Sequence, residues 1–177
     1  MGWCYYSARY FKNGKIDRKA ECDAEFTSEN LEVVKSRLVG ATWYGAMKNK
    51  KTGEIWALVC DTSVDGWDFG YKDMSEDMGP YRYDCPESIL KLLSPTDNEW
   101  ANEWRQKCRD RIAEKKKLNA LPVGTQIYVP EFDKHYYKNP GGGRYEWTDG
   151  GLYYISKSTL LSCGYEVTGI NPRYSLF

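Results

Sequence analysis

The sequence holds one histidine, His135, among 177 residues. A Ser-His-Asp triad or a histidine-built zinc site would have to rest on that side chain alone, which counts against both. Its six cysteines (Cys4, Cys22, Cys60, Cys85, Cys108 and Cys163) are scattered and form no C-x-x-C. Zinc-ribbon and thioredoxin spacings are therefore missing, and in a reducing compartment the thiols read as small buried hydrophobes. No segment approaches the roughly 20 apolar residues of a membrane span, and MGWCYYSARYFKNGK at the start has no apolar run of signal-peptide length. The expected location is the cytoplasm, with no membrane partner. Neither sign of charge is in excess: 25 basic and 25 acidic side chains leave a formal charge of zero, so a globally basic nucleic-acid binder is not the default. G-x-S-x-G, H-E-x-x-H and G-x-G-x-x-G are absent. NPGGGR at 139–144 lacks the Gly-Lys-Ser/Thr of a phosphate loop and reads as a hairpin tip.

Aromatic rings are plentiful, 15 Tyr and 7 Trp, enough to build a core and to leave amphipathic rings for contact surfaces. Residues 3–11 suit a strand, with Asn13-Gly14 as the turn after it, and 15–26 reads as a polar loop. Thr27 or Ser28 is placed to cap a helix through Leu31, Val34 and Leu38, spaced by three and four. Two apolar arms, 41–47 and 54–60, flank a Lys-Thr-Gly tip and predict a hairpin. The Gly-rich segment 61–84 reads as a long loop with a short strand near Phe69 and Tyr71. Pro86 with Ile89, Leu90, Leu92 and Leu93 predicts a short helix. After residue 118, strand-like runs, Gly-rich turns and a helical turn at Ser158–Cys163 closed by Gly164 predict a small antiparallel β unit. The fold class is α+β: an antiparallel sheet with a strand-helix-strand-strand start, a long amphipathic helix, and a small C-terminal β unit. The divisions are a 1–95 α+β domain, a 96–117 helix packing on it, and a 118–177 β unit that could belong to the same domain.

The 96–117 helix opens on Thr96 and Glu99, three apart, the spacing of a capping box. Trp100, Ala101, Trp104, Cys108 and Ile112 fall on one side of its wheel and predict a core stripe, flanked by Arg105, Arg109 and Lys116. Glu103 and Lys107 make a favourable i, i+4 pair. Burying the two indoles is worth about 2–3 kcal/mol each, against a few tenths for such a pair, so packing decides this helix.

Charge is distributed unevenly. From Asp61 to Glu87 the local balance is −6, and from Arg105 to Lys117 it is +5. The acids of 61–77 do not match the spacing of an EF-hand. A surface of carboxylates among rings (Asp61, Asp65, Trp67, Asp68, Asp73, Glu76 and Asp77) instead suits docking on a basic groove, while its bland rival is a solvated connection. Two alternatives stand beside this reading. One is a nucleic-acid binder using Arg105, Arg109, Lys116, Lys117 and Arg144 with aromatics of the β unit; the other is a divalent-metal-dependent enzyme built on the 61–77 acids. The leading reading assigns no catalytic residue, metal or cofactor.

At MGWCYYSARYFKNGKIDRKAEC, and again at LVCDTSVD, GYKDM and LLSPTDNEWANEWRQKC, the chain resembles an uncharacterised protein family carried by bacteriophages, prophages and mobile elements of Gram-positive bacteria. The likeness spans about residues 1–117. The family has no assigned catalytic residues to carry over; it implies the cytoplasm of a bacterial host and a host-directed role. Small proteins of such elements often inhibit restriction systems or CRISPR effector nucleases, which hold nucleic acid in positively charged channels. The resulting expectation is a non-enzymatic counter-defence (anti-CRISPR) binder whose partner is a host defence protein or protein–nucleic acid complex.

Overall fold

The structure, a computed structural model, describes residues 4–5, 11–63, 66–71, 82–141, 146–151 and 153–171, with 4–5, 11 and 66–71 described by backbone alone. The chain forms two compact units, Met1–Ile112 and Ala113–Phe177, each with its own antiparallel five-stranded sheet. The fold class is α+β, as the sequence predicts.

In the first unit, β1 (Cys4–Tyr5) is followed by a small ribbon of β2 (Phe11–Lys12) and β3 (Lys15–Ile16). Asn13 and Gly14 both take positive φ, 51° and 73°, at its turn, the geometry for which Asn-Gly is favoured. The predicted loop at 15–26 is instead largely helix: α1 spans Arg18–Glu25, and Asp17 caps it by accepting from the Ala20 N–H. Only Glu21 and Cys22 of this helix are buried, so the apolar periodicity that announces a helix is nearly absent. Its local signals are the Asp cap and the good helix formers that follow.

The segment predicted as a helix through Leu31, Val34 and Leu38 is strand β4 (Leu31–Val39), paired along its length with β5 (Thr42–Asn49). A bulge between Val33 and Lys35 breaks the two-residue alternation, so the inward positions fall at Leu31, Val33 and Ser36 while Val34 and Leu38 are exposed. The helical spacing of Leu31, Val34 and Leu38 therefore marks no buried face. The predicted hairpin of β5 with β6 (Ile55–Asp61) is present; Gly53 at its tip has φ +77°. β7 (Gly66–Tyr71), at the predicted short strand, pairs with β6, and β1 closes the order β1-β7-β6-β5-β4.

β5 and β6 are buried on both faces, which is why they read as continuous apolar runs. On one face Trp43, Met47, Leu58 and Cys60 pack with Cys22 of α1 and with Phe26. The Trp43 indole lies over Gly45, and its Nε1 donates to Asp23 at 3.0 Å. On the other face Tyr44, Ala46, Ala57 and Val59 pack under Cys85, under Ile89 and Leu90 of α2 (Glu87–Leu90), and under Trp104 and Cys108 of α3 (Glu99–Ala120). Cys22, Cys60, Cys85 and Cys108 are buried thiols outside any disulfide, and Cys163 is half-buried.

Helix α3 begins at Glu99, two residues later than a Thr96 cap would set it, and has a different cap. Asn98 accepts from the Ala101 N–H at 3.0 Å, while Thr96 Oγ1 accepts from Asn98. The stripe of Ala101, Trp104, Cys108 and Ile112 faces the core, and Trp104 Nε1 donates to the Arg82 carbonyl. Trp100 does not join it and remains 54% exposed. At about 100° per residue it lies at the rim of an arc centred on Ala101 and Cys108, an arc completed on the other side by Arg105.

In the second unit, β8 (Thr125–Val129), a 3-10 turn at Pro130–Phe132, β9 (Lys134–Lys138), β10 (Trp147–Thr148), β11 (Tyr154–Ile155), α4 (Lys157–Cys163) and β12 (Glu166–Ile170) build the sheet β11-β10-β9-β8-β12. Ser156 caps α4, and Gly164, φ +76°, follows it as predicted. Leu118, Ile127, Val129, Tyr136, Trp147, Ile155 and Leu160 form its core. Beneath the end of α3 the buried Lys138 donates to the carbonyls of Asn119 and Leu121 and pairs with the buried Glu146, which also meets Lys157.

Candidate binding surfaces

The acidic segment begins at Asp61, the last residue of β6, and returns to the sheet as β7; after Tyr71 the chain is described again from Arg82. Asp61 Oδ1 accepts from the Ser63 amide and hydroxyl, and Asp61 Oδ2 accepts from Arg82 at 3.1 Å. Thr62 adds two bonds to the Ala41 carbonyl, from its amide and its hydroxyl. Burial alone would raise the Asp61 pKa; the Ser63 hydroxyl and amide and the Arg82 guanidinium outweigh it, holding the carboxyl below its ordinary range. Asp61 is therefore a fastener at the neck of the segment, half-buried and bonded within the chain. Trp67 and Asp68 lie on β7, with side chains outside the described residues; Asp65, Asp73, Glu76 and Asp77 lie outside them altogether.

The basic stripe is also revised. Arg105 is buried and donates to the Ser94 carbonyl at 2.7 Å, so it holds the α2–α3 connection and offers no charge to phosphates. Arg109, Lys116 and Lys117 are exposed, Lys117 pairing with Glu114 at 3.2 Å; Arg144 lies outside the described residues. The expected Glu103–Lys107 pair forms at 2.7 Å, with Lys107 also 5.4 Å from the Tyr83 ring.

Among the described residues no three His, Cys, Asp or Glu side chains converge as metal ligands. The polar cluster nearest to a reaction centre in appearance is Tyr44, Asp84 and Arg111. Arg111 Nε donates to Asp84 Oδ1 at 2.9 Å, and the Asp84 amide donates to Tyr44 Oη at 3.2 Å. Burial first, and then the Asp84 carboxylate, push the Tyr44 phenol well above its ordinary range, so it stays protonated and serves as a hydrogen-bonding group. His135 is exposed, its ring 5.1 Å from that of Tyr128 and tilted 43° to it.

Tyr165 in the second unit shares this trend: burial, followed by its bond to Glu114, pushes its phenol up to about 12. A phenol that ionises later in the folded than in the unfolded chain adds stability that is complete below the unfolded value near 10 and is lost as pH rises toward the folded value. Unfolding free energy from urea titrations is accordingly expected to be level from pH 7 to 9 and to fall between pH 10 and about 12. Phenylalanine at Tyr165 is expected to lessen that fall, with Tyr44 supplying much of the remainder; an unchanged slope would show that Tyr165 has no part in it.

Sequence reasoning pointed to aromatics of the β unit but did not assemble them into an open groove of about 420 Å³ in the second unit. Phe132, Tyr136 and Tyr154 supply its rings, Ile155 an aliphatic patch, Ser156 and Thr159 two hydroxyls, and Lys134 its charge. Phe132 and Tyr154 are 40% and 48% exposed, and the neighbouring Tyr153, 67% exposed, has the Lys134 ammonium 5.0 Å from its ring centroid.

Residues 95–132, which take in α3, β8 and the 3-10 turn, match the model of a family described as Domain of unknown function (DUF6927). No curated protein matches the chain. No solved structure matches it either. Among the described residues no helix is long and apolar enough to cross a membrane.

Proposed function

We propose that the chain acts without catalysis, as a binding protein that offers its acidic segment to the basic groove of a host defence complex, of which an RNA-guided effector nuclease is the leading type. The observation that carries this reading is the fastened neck: the Asp61–Arg82 pair ties together the two ends of a stretch in which Asp65, Asp68, Asp73, Glu76 and Asp77 oppose only Lys72. Such a pair would tether a stretch of concentrated negative charge at its two ends. Electrostatic attraction to a nucleic-acid channel raises the association rate and disfavours partners of like charge. The resemblance to proteins of phages and mobile elements supplies the setting, and the internal pairing of Asp61, Asp84, Arg105 and Arg111 supports a structural use of the described charges.

The test is interference in a Gram-positive host that expresses an RNA-guided nuclease. Expression of the chain is expected to restore transformation by a targeted plasmid by about tenfold or more, corresponding to only about 1.4 kcal/mol at the effector. Lysine at Asp65, Asp68, Asp73 and Asp77 together is expected to abolish that restoration while the melting temperature of the purified protein is retained. Restoration that survives the four reversals would refute the role of the segment.

A further inference from the structure

We propose that the groove of the second unit is a binding site for single-stranded nucleic acid, in which a nucleobase stacks against the exposed rings and Lys134 meets the adjacent phosphate. This inference is independent of the acidic segment, since it uses other residues and another ligand.

The argument begins with what the groove offers. Phe132 enters from the 3-10 turn, Lys134 and Tyr136 from β9, and Tyr154 from β11. Strand pairing through β10 brings these four together although they are spread over 23 positions of the sequence. Its volume, about 420 Å³, falls in the usual range for ligand pockets, roughly 300–1,000 Å³, and an open trough of this size admits a base with its sugar. Lys134 is the charged residue among those lining it. The acid adjacent in sequence, Asp133, is engaged elsewhere, accepting from Tyr128 Oη at 2.7 Å.

A ligand that matches this set must carry a flat π face and a negative charge a short distance away. Each nucleotide of a single strand has both. Base–aromatic stacking is tolerant of sequence and is available only where bases are not already stacked inside a duplex. An acidic peptide would satisfy Lys134 and leave the ring faces of Phe132 and Tyr154 in water. The Ser156 and Thr159 hydroxyls, 2.7 Å apart, sit where they can bond to sugar or phosphate oxygens. An exposed aromatic cluster beside a cation is also a feature that a monomeric surface does not need for its own stability.

The experiment is fluorescence anisotropy of a labelled oligothymidylate of about 15 nucleotides, within the site sizes usual for small single-strand binders, titrated with the full chain at low salt. Binding is expected, with a duplex of equal length competing poorly. Tyr154→Ala and Phe132→Ala are each expected to weaken binding about tenfold, within the range for loss of one stacked base. Lys134→Ala is expected to lessen the salt dependence by about one phosphate contact. Trp100→Ala, an exposed indole of the first unit, is expected to leave binding unchanged. Lys134→Glu, at an exposed position that contributes to no core, keeps the test valid should a ring variant lose its fold, and it is expected to abolish binding. No binding of the oligonucleotide, equal competition by duplex, or affinity unmoved by the Lys134 and ring variants would each overturn the inference.

Discussion

Alanine in place of Gly45 is expected to lower the unfolding free energy by about 3 kcal/mol or more, at or beyond the upper end of overpacking costs in well-packed cores. A Cβ at this position would lie 2.1 Å from Cη2 of Trp43 and 2.7 Å from both Cζ2 and Cζ3. No rotation of a flexible tip relieves that clash. The atoms belong to a fully buried indole whose Nε1 is tied to Asp23, itself bonded to Ser36 and paired with Lys19. Moving the ring means breaking the bond to Asp23 and lifting α1 from the sheet. Urea unfolding followed by far-ultraviolet circular dichroism measures the loss. Gly141→Ala, where an added Cβ meets nothing within 4 Å, is the matched control and is expected to stay within about 0.5 kcal/mol of the parent, as surface changes do. A Gly45→Ala protein as stable as the parent would mean that the indole does not pack on the glycine as described.

Methionine in place of Lys138 is expected to cost about 3–5 kcal/mol, the range for removing one partner of a buried ion pair. The Lys138 ammonium donates at 2.8 and 2.7 Å to the carbonyls of Asn119 and Leu121 and lies 3.4 Å from Glu146 Oε1, with both charged side chains less than a tenth exposed. Losing it strands two carbonyls at the end of α3 and leaves Glu146 with Lys157 alone. The double variant Lys138→Met with Glu146→Gln is expected to cost less than the sum of the two single changes, because the second change removes the charge that the first left unpaired. Additive losses would show that the two side chains do not interact.

What the sequence disclosed and what it hid follow from the range of the interactions involved. The β5–β6 hairpin was legible because both arms and the Gly53 turn are local, and α4 because Ser156 and Gly164 punctuate it within eight residues. β4 was hidden because Leu31, Val34 and Leu38 share a helical spacing by residue type, although on the bulged strand Val34 and Leu38 are exposed and Leu31, Val33 and Ser36 face inward. α1 was hidden because a helix burying only Glu21 and Cys22 has almost no apolar period. Arg105 counts as a surface cation on a helical wheel; its burial depends on the Ser94 carbonyl, presented by the chain that precedes the helix. The groove had no signal at all in one dimension, since Phe132, Tyr136 and Tyr154 meet only through strand pairing. For the acidic segment the sequence supplied the charge, and the structure supplied the Asp61–Arg82 neck that fastens it.

The account holds that a charged segment fastened at its neck binds a partner and that no reaction is carried out. Its most direct measurement is calorimetric titration of the purified chain into a guide-loaded effector nuclease at two salt concentrations, with magnesium present. The expected result is a saturable complex whose affinity drops with added salt and disappears with lysine at Asp65, Asp68, Asp73 and Asp77. Heat from turnover of nucleic acid by the chain itself, or a complex indifferent to both salt and charge reversal, would contradict it.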